Sequence, residues 1–394
     1  MLINNWYVAS EASEVLAGTP KKVRMLGFDF VLFRDSAGRV ACLSDVCIHR
    51  GASLSKGRCE GDRVVCPFHG WEFDAQGQCQ KIPALGDARV PKRGRVDSYP
   101  TREIYGWVWV FLGDLPEEER PEPPALLPEY AQTDAWRTTR MVVEAPANWT
   151  KFEENSLDTA HLSFVHKAFG NRMDPKATLV PIERTAYGAR VARERTPPKP
   201  EAKSGILGEL LAQPRGKTRV ELEFSILGLC HRINPTFRPG MAQVVFSAST
   251  PIDPHNTRQF GLQARNYAIE PEHDAERLDG RRAAIDEDIA VVSTVRPAVG
   301  PTPFSEEFLT RADEMESRFR GMVFRMIEAG WEIDYAKVEA EWDRKVYVIP
   351  SPERRKDPRN WVHEAAPMTR PREEGFGWRA LAAEADAAVP EPSE

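Results

Sequence analysis

At 394 residues, 41% hydrophobic and 28% charged, the chain can bury a full core and has the ordinary composition of a globular protein of two domains. A net charge of −6 with scattered basic residues gives no reason to expect nucleic acid as a partner. The longest apolar stretch, residues 105–113, is too short to cross a bilayer, and residues 1–7 lack the charged lead and apolar core of an export signal; no membrane association and a cytoplasmic location are expected.

Residues 20–112 read as short strands and turns. Phe28, Phe30 and Leu32 alternate with smaller or polar residues, a turn at 35–38 precedes a strand at 40–43, and residues 107–111 (WVWVF) close the region. Cysteines 42, 47, 59, 66 and 79 cluster here and a sixth stands at 230, which favours metal binding over a disulfide framework. Cys47 and Cys66 alone carry a nearby histidine; Cys42, Cys59, Cys79 and Cys230 read as small buried hydrophobes. The pattern is Cys47-Ile-His49, sixteen residues, then Cys66-Pro-Phe-His69. Each half puts a thiolate and an imidazole on one tight loop, so two loops can grip one cluster from opposite sides. Pro67 stiffens its loop, and Gly51 and Gly70 permit sharp turns. Two cysteines and two histidines also suit zinc, but zinc fingers usually pair like with like. Here each loop donates one of each, and Phe68, Trp71 and Phe73 suit a shielded cluster. The set reads as a two-iron cluster with cysteines on one iron and histidines on the other, the Rieske arrangement.

Residues 113–130, rich in Pro and Glu, read as a linker. A helix is expected over 149–161. It leads into Asp158, His161 and His166, and two histidines with one carboxylate can hold an iron that keeps open positions for oxygen. On a regular helix i and i+3 face together while i+5 swings away, so His161 and His166 can share a metal only if the helix breaks between Leu162 and Val165. Residues 193–217 read as an exposed excursion. Strands at 220–233, 242–252 and 257–267 should run antiparallel in one curved sheet, with Phe224, Phe237 and Phe246 packing its core or walling a pocket. Helices are expected over 284–295 and 306–329, the latter with Phe308, Ala312, Met315, Phe319, Met322 and Met326 on its core face. The last fifteen residues read as a frayed tail. His231, His255, His273 and His363 have no comparable partners and read as structural or solvated.

Cys47-Ile-His49-Arg50-Gly51 with Cys66-Pro-Phe-His69-Gly70-Trp71 resembles the Rieske domain of the Rieske non-haem iron oxygenases, and the likeness runs from about residue 5 to 113, including YGWVW at 105–109. Within that family the chain is similar to single-subunit oxygenases that demethylate or hydroxylate small molecules. The resemblance implies an α+β chain: an all-β Rieske domain (1–115), then a catalytic mononuclear-iron domain (116–370) with an antiparallel sheet and helices, helix-grip-like, then a C-terminal tail (371–394). It implies His161 and His166 as iron ligands, and Asp158 as a bridge from His161 across a subunit interface to the Rieske histidine at the position of His69. Asn155 matches a polar position beside the iron. The third ligand belongs to the acidic stretch at 285–292, where the pattern selects Asp288 over its competitors Asp286 and Glu287. Ser293-Thr294-Val295 stands where the family often has Gln or Glu, a departure that bears on this register.

By that resemblance the chain is a terminal oxygenase holding a [2Fe–2S] Rieske cluster and a mononuclear Fe(II). It would use O₂, and electrons from a separate NAD(P)H-dependent reductase with or without a ferredoxin. The reaction implied is hydroxylation or oxidative demethylation of a small aromatic or heterocyclic substrate, in a head-to-tail homotrimer. No strand-borne GxGxxG and no second cysteine set for a plant-type ferredoxin occur in the chain. Arene cis-dihydroxylation and pure electron transfer are the competing readings, and acid and neutral substrates both stay open.

Overall fold

Short apolar runs broken by glycine turns build the first part of the chain as three small sheets. The computed structural model describes residues 1–167, 176, 179–195, 217–238 and 240–384. One sheet has the order β1-β11-β10, from β1 (Asn5–Glu11), β10 (Thr101–Ile104) and β11 (Trp107–Leu112). A second has the order β2-β3-β4-β9, from β2 (Lys21–Met25), β3 (Phe28–Arg34), β4 (Val40–Ser44) and β9 (Ser98–Tyr99). The third, β5-β6-β7-β8, is a meander of β5 (Arg58–Glu60), β6 (Arg63–Val65), β7 (Glu72–Asp74) and β8 (Cys79–Lys81). Alternate residues of these strands, among them Val31, Phe33, Leu43, Val64 and Phe73, meet in one apolar cluster that also takes in Cys47, Cys66 and Cys79.

The chain divides into two compact units, and the first is not a simple N-terminal block. It comprises Met1–Pro123, Thr250–Asp253 and Arg325–Arg379. Within this unit Trp378 donates to Asn4 O at 2.8 Å and packs edge-on against Trp331, which also meets Phe376. Arg354 pairs with buried Asp97 at 2.7 Å, and Tyr99 Oη donates to Ile349 O at 2.7 Å. The start of the expected tail is therefore anchored, because an indole as large as Trp378 is driven out of water and its N–H finds a carbonyl.

The second unit comprises Pro124–Ser249 and Pro254–Phe324, with the chain from Ala380. Its centre is a seven-stranded sheet of order β12-β18-β17-β16-β15-β14-β13. The strands are β12 (Arg137–Ala145), β13 (Glu183–Thr185), β14 (Gly188–Arg195), β15 (Thr218–Ser225), β16 (Cys230–Arg238), β17 (Met241–Asp253) and β18 (Asn256–Arg265). The single strand expected at 220–233 is a hairpin, since Gly228 and Leu229 take positive φ and turn the chain between β15 and β16. Most of the excursion at 193–217, and the side chain of Phe237, lie outside the described residues. Phe224 and Phe246 are buried in the sheet core.

Helices α1 (Trp149–Leu157) and α3 (Asp274–Val292) pack on each other and on β18 and β12. The acidic helix thus begins ten residues before the expected 284. Helix α4 (Glu314–Glu328) starts later than expected: Thr310 caps a preceding turn in a reciprocal bond with Asp313, and Phe308, ahead of it, is 97% exposed. From Met315 onward the expected face holds, with Met315, Phe319, Met322 and Met326 buried. No helix among the described residues is long and apolar enough to cross a membrane.

Candidate metal centres

The loops following β4 and β6 are built to one plan. Cys47 N donates to Ala52 O at 2.8 Å and Gly51 N to Cys47 O at 2.9 Å; in the second loop Cys66 N donates to Trp71 O at 2.8 Å and Gly70 N to Cys66 O at 3.0 Å. Gly51 and Gly70 sit at φ +72° and +70°, where a Cβ is disfavoured. The folding of each loop turns its thiol inward, to 1% and 2% exposure, and leaves its imidazole outside. The two imidazole rings stand 4.4 Å apart, and His49 stacks on Trp71 at 4.6 Å. Trp71 and Phe73 pack into the apolar cluster as expected, whereas Phe68 is exposed beside His69.

This donor set fits a two-iron cluster better than one zinc ion. Burial, reinforced by the Cys66 thiol and only partly offset by the His49 N–H, pushes Cys47 up to about 12, so a thiolate there needs a cation beside it. All six cysteines are free. A single zinc would draw its four donor atoms to within about 4 Å of one another. Among the described residues, the one group of three such donors lying within 4.8 Å is elsewhere, in the second unit.

That second group is His161, His166 and Asp288. Helix α1 starts from Asn148, whose side chain accepts from Thr150 N at 3.0 Å, and ends at Leu157. Asp158 leaves the helix at ψ 136°, and its carboxylate then accepts from Ala160 N at 2.6 Å and His161 N at 3.2 Å. This side-chain capping starts a new turn, α2 (Leu162–Val165), and the chain extends again at His166. The break expected between Leu162 and Val165 is therefore not there. It lies at Asp158 to His161, because the aspartate offers the backbone N–H groups an alternative to helical partners. The two imidazoles nonetheless face each other, 5.3 Å between centroids.

Asp288 on α3 closes the group. Its Oδ1 lies 3.4 Å from His161 Nε2 and 3.5 Å from His166 Nε2, is buried, and has no hydrogen-bond partner. Donors sharing one ion at about 2.1 Å stand about 3.0–3.4 Å apart, so the orphaned oxygen is placed for a common ion. The other ring nitrogens are held by carboxylates: His161 Nδ1 by Asp158 at 3.2 Å, His166 Nδ1 by Glu287 at 3.1 Å. Glu287 also accepts from Lys167 N at 3.3 Å. Both rings thereby turn Nε2 toward Asp288, the usual arrangement around a bound metal. Burial alone would lower His161, but Asp158 and Asp288 outweigh it and push the imidazole up to about 9. Asp158 stays below the ordinary carboxylate range; burial opposes this, but the bonds from His161 and Ala160 prevail.

The three acids of the acidic stretch are thus sorted by geometry. Asp288 meets the histidines' Nε2 atoms, Glu287 orients His166, and Asp286 is exposed and paired with Arg282 at 2.8 Å. Asn155 lies half-buried on α1, its side chain without a hydrogen bond among the described residues. Two features escaped the sequence reading. His231 is not partnerless: Glu153 holds its Nδ1 at 3.1 Å and takes a second bond from Ser249 Oγ, all three residues buried. Arg281 stands on α3 seven residues before Asp288, on the same helix face, and that spacing is the signal that could have found it.

Residues 5–100 match the family model of the Rieske [2Fe–2S] domain, and residues 145–329 match that of the vanillate O-demethylase oxygenase C-terminal domain. The oxygenase subunit of 5,5'-dehydrodivanillate O-demethylase from Sphingobium is 31% identical over 44% of this chain and 41% of its own length. Methylxanthine N1-demethylase NdmA of Pseudomonas putida is 26% identical over 79% of this chain and 83% of its own. Against the curated relatives first matched, the likeness spans 41–44% of their length. Among solved structures, an NdmA variant with caffeine superposes with a TM-score of 0.69 at 23% identity, covering 83% of this chain and 91% of that one. Dicamba monooxygenase bound to 3,6-dichlorosalicylic acid gives 0.66 at 23%, covering 83% and 97%. These two likenesses establish the fold.

Proposed function

From the premise that the chain belongs to the Rieske terminal oxygenases, both of whose domains it carries in order, we propose that it is the oxygenase component of a small-molecule hydroxylase or oxidative demethylase. Cys47, His49, Cys66 and His69 would hold the [2Fe–2S] cluster; His161, His166 and Asp288 would hold one Fe(II). When bound, the cluster supplies electrons singly and the Fe(II) supplies the activation of O₂. The protein's part is orientation. Asp158 and Glu287 fix the Nδ1–H tautomers, so that both Nε2 lone pairs point at one place. The observation that carries this reading is the buried Asp288 Oδ1, which has no hydrogen bond yet faces two imidazole nitrogens at 3.4 and 3.5 Å. Asn155, half-buried one turn before Asp158, belongs beside the iron in this reading.

Electrons come in this reading from a separate NAD(P)H-dependent reductase, with or without a ferredoxin, and the substrate is an aromatic or heterocyclic compound, like those named for the relatives. The assembly is a homotrimer in which His69 of one copy meets Asp158 of the next. Exposed His49, His69 and Phe68 on one unit support this, as do Phe164, 77% exposed between the two iron histidines, and Phe308 on the other. A cytoplasmic location is supported by six free cysteines. The test is metal and sulfide analysis of anaerobically purified protein with EPR of the reduced sample. About three irons and two labile sulfides per chain with a Rieske-type signal are expected. Zinc without sulfide would overturn the first site, and two irons the second.

A further inference from the structure

Three other arginines of the second unit face carboxylates: Arg265 has Asp274, Arg320 has Glu154 and Glu307, and Arg232 has Glu129. Arg281 has none among the described residues. Its Nη2 donates to Ser247 Oγ at 3.0 Å, while its Nη1 is buried and donates to nothing. Burial, with no charge set against it, pulls the guanidinium down to about 10. An unpaired cation in such a place is costly unless an anion arrives to meet it.

The surroundings are shaped for this side chain. The guanidinium lies against β18 at Gly261, where any Cβ would collide with it, so the glycine inside a strand marks a cleared position. Thr139 and Gln263 are direct partners on β12 and β18, and Gln263 shares the Gly261 face two residues on. Thr139 Oγ1 and Gln263 Oε1 are likewise buried without a hydrogen bond. On β16, His231 is the cross-strand partner of Ser247, so the imidazole held by Glu153 shares that face. Unsatisfied polar atoms thus gather on the sheet face under α3, where apolar packing would be the ordinary choice.

Arg281 and Asp288 lie seven residues apart on one helix face, two turns or about 10.5 Å along the axis. That rise, measured between backbone positions, is of the length of a single aromatic ring with its end groups. We propose that Arg281, with Ser247 beside it, anchors the anionic group of the substrate, which makes the substrate an aromatic carboxylic acid whose reacting substituent lies at the end away from its carboxylate. This rests on the reading of His161, His166 and Asp288 as the iron site. It settles the choice between acid and neutral substrates that the sequence leaves open.

The test titrates the iron-loaded holoenzyme anaerobically, by calorimetry, with 4-methoxybenzoate and with 4-methoxybenzamide, its neutral isostere. Wild-type protein should bind the acid roughly 100-fold more tightly, the scale of a charge-assisted hydrogen bond. Arg281→Gln should remove that preference while leaving iron content and the cluster EPR signal unchanged, and Arg281→Lys should restore part of it. Equal affinity of the wild type for both probes, or binding of neither, overturns the proposal, and that comparison needs no variant to fold. So does an acid preference that survives in Arg281→Gln. Metal analysis of the same samples reads the iron site separately: an acid preference in protein that never holds the third iron would sink the oxygenase reading and leave the anion anchor standing.

Discussion

The donors proposed for the cluster all fall between residues 47 and 69, on two loops that repeat one backbone hydrogen-bond pattern, whereas those proposed for the mononuclear iron come from positions 161, 166 and 288 and are aimed by side chains. In the first region the main chain does the positioning: paired N–H bonds and glycines at positive φ set each thiol inward and each imidazole outward. In the second, carboxylates do it, with Asp158 and Glu287 each turning one ring. A site positioned by backbone tolerates side-chain changes around it and suffers from changes in loop conformation. A site positioned by side chains has the opposite sensitivities.

The change that should separate the two regions most sharply is Asp288→Ala. Removing the acid that faces both Nε2 atoms should eliminate the mononuclear iron, taking the content from about three irons per chain to about two, with labile sulfide and the cluster signal untouched. Loss of sulfide in the same variant would mean that the sites are not independent. Asp158→Ala is expected to be nearly as damaging to function but not to composition. Both metals should remain, while coupled product formation falls by at least about 100-fold, since Asp158 orients His161 and bridges it to the neighbouring copy's cluster in our reading. Normal product formation would remove Asp158 from the electron path. Glu287→Gln should be milder, weakening Fe(II) binding by about 10- to 100-fold, while Asp286→Asn, at a position that among the described residues pairs with Arg282, leaves it unchanged. Equal effects of these two would show that general negative charge, and not the orientation of His166, is what α3 contributes.

The same contrast explains what could be read from the chain. The approach of the Cys47–His49 and Cys66–His69 loops, proposed to hold the cluster, is legible because spacing within a loop fixes which side chains can meet. The pairing of His161 with His166 is visible as a need for a broken helix, but helical spacing puts the break between Leu162 and Val165, where the structure has a helical turn. What moved it is the capping by Asp158, a local competition that helical periodicity does not register. Asp288, Glu287 and Asp286 differ by a single residue in register, and their roles separate only when α3 packs on α1 and α2. Phe308 shows the limit of periodicity in the other direction: it continues the spacing of Met315 and Phe319 but precedes the helix start set by Thr310 and Asp313. The return of Trp378 to Asn4 is a long-range contact with no periodic signature at all.

The smallest expected effects lie within the loops, and they test whether backbone conformation alone explains the glycines. A Cβ at Gly51 would meet nothing within 4 Å, so Gly51→Ala should cost only the left-handed conformation, about 1 kcal/mol. Gly70 has nearly the same φ, but a Cβ there comes 3.3 Å from Pro83 Cγ, so Gly70→Ala should cost that amount plus whatever Pro83 must yield. Denaturant midpoints of the two holo-variants, followed by cluster absorbance, should rank wild type first, Gly51→Ala second and Gly70→Ala last. If Gly51→Ala instead releases the cluster outright, open space at that position has been misjudged: the glycine would be clearing room for the sulfides and irons, and the loop would be shaped by its cargo as much as by its own hydrogen bonds.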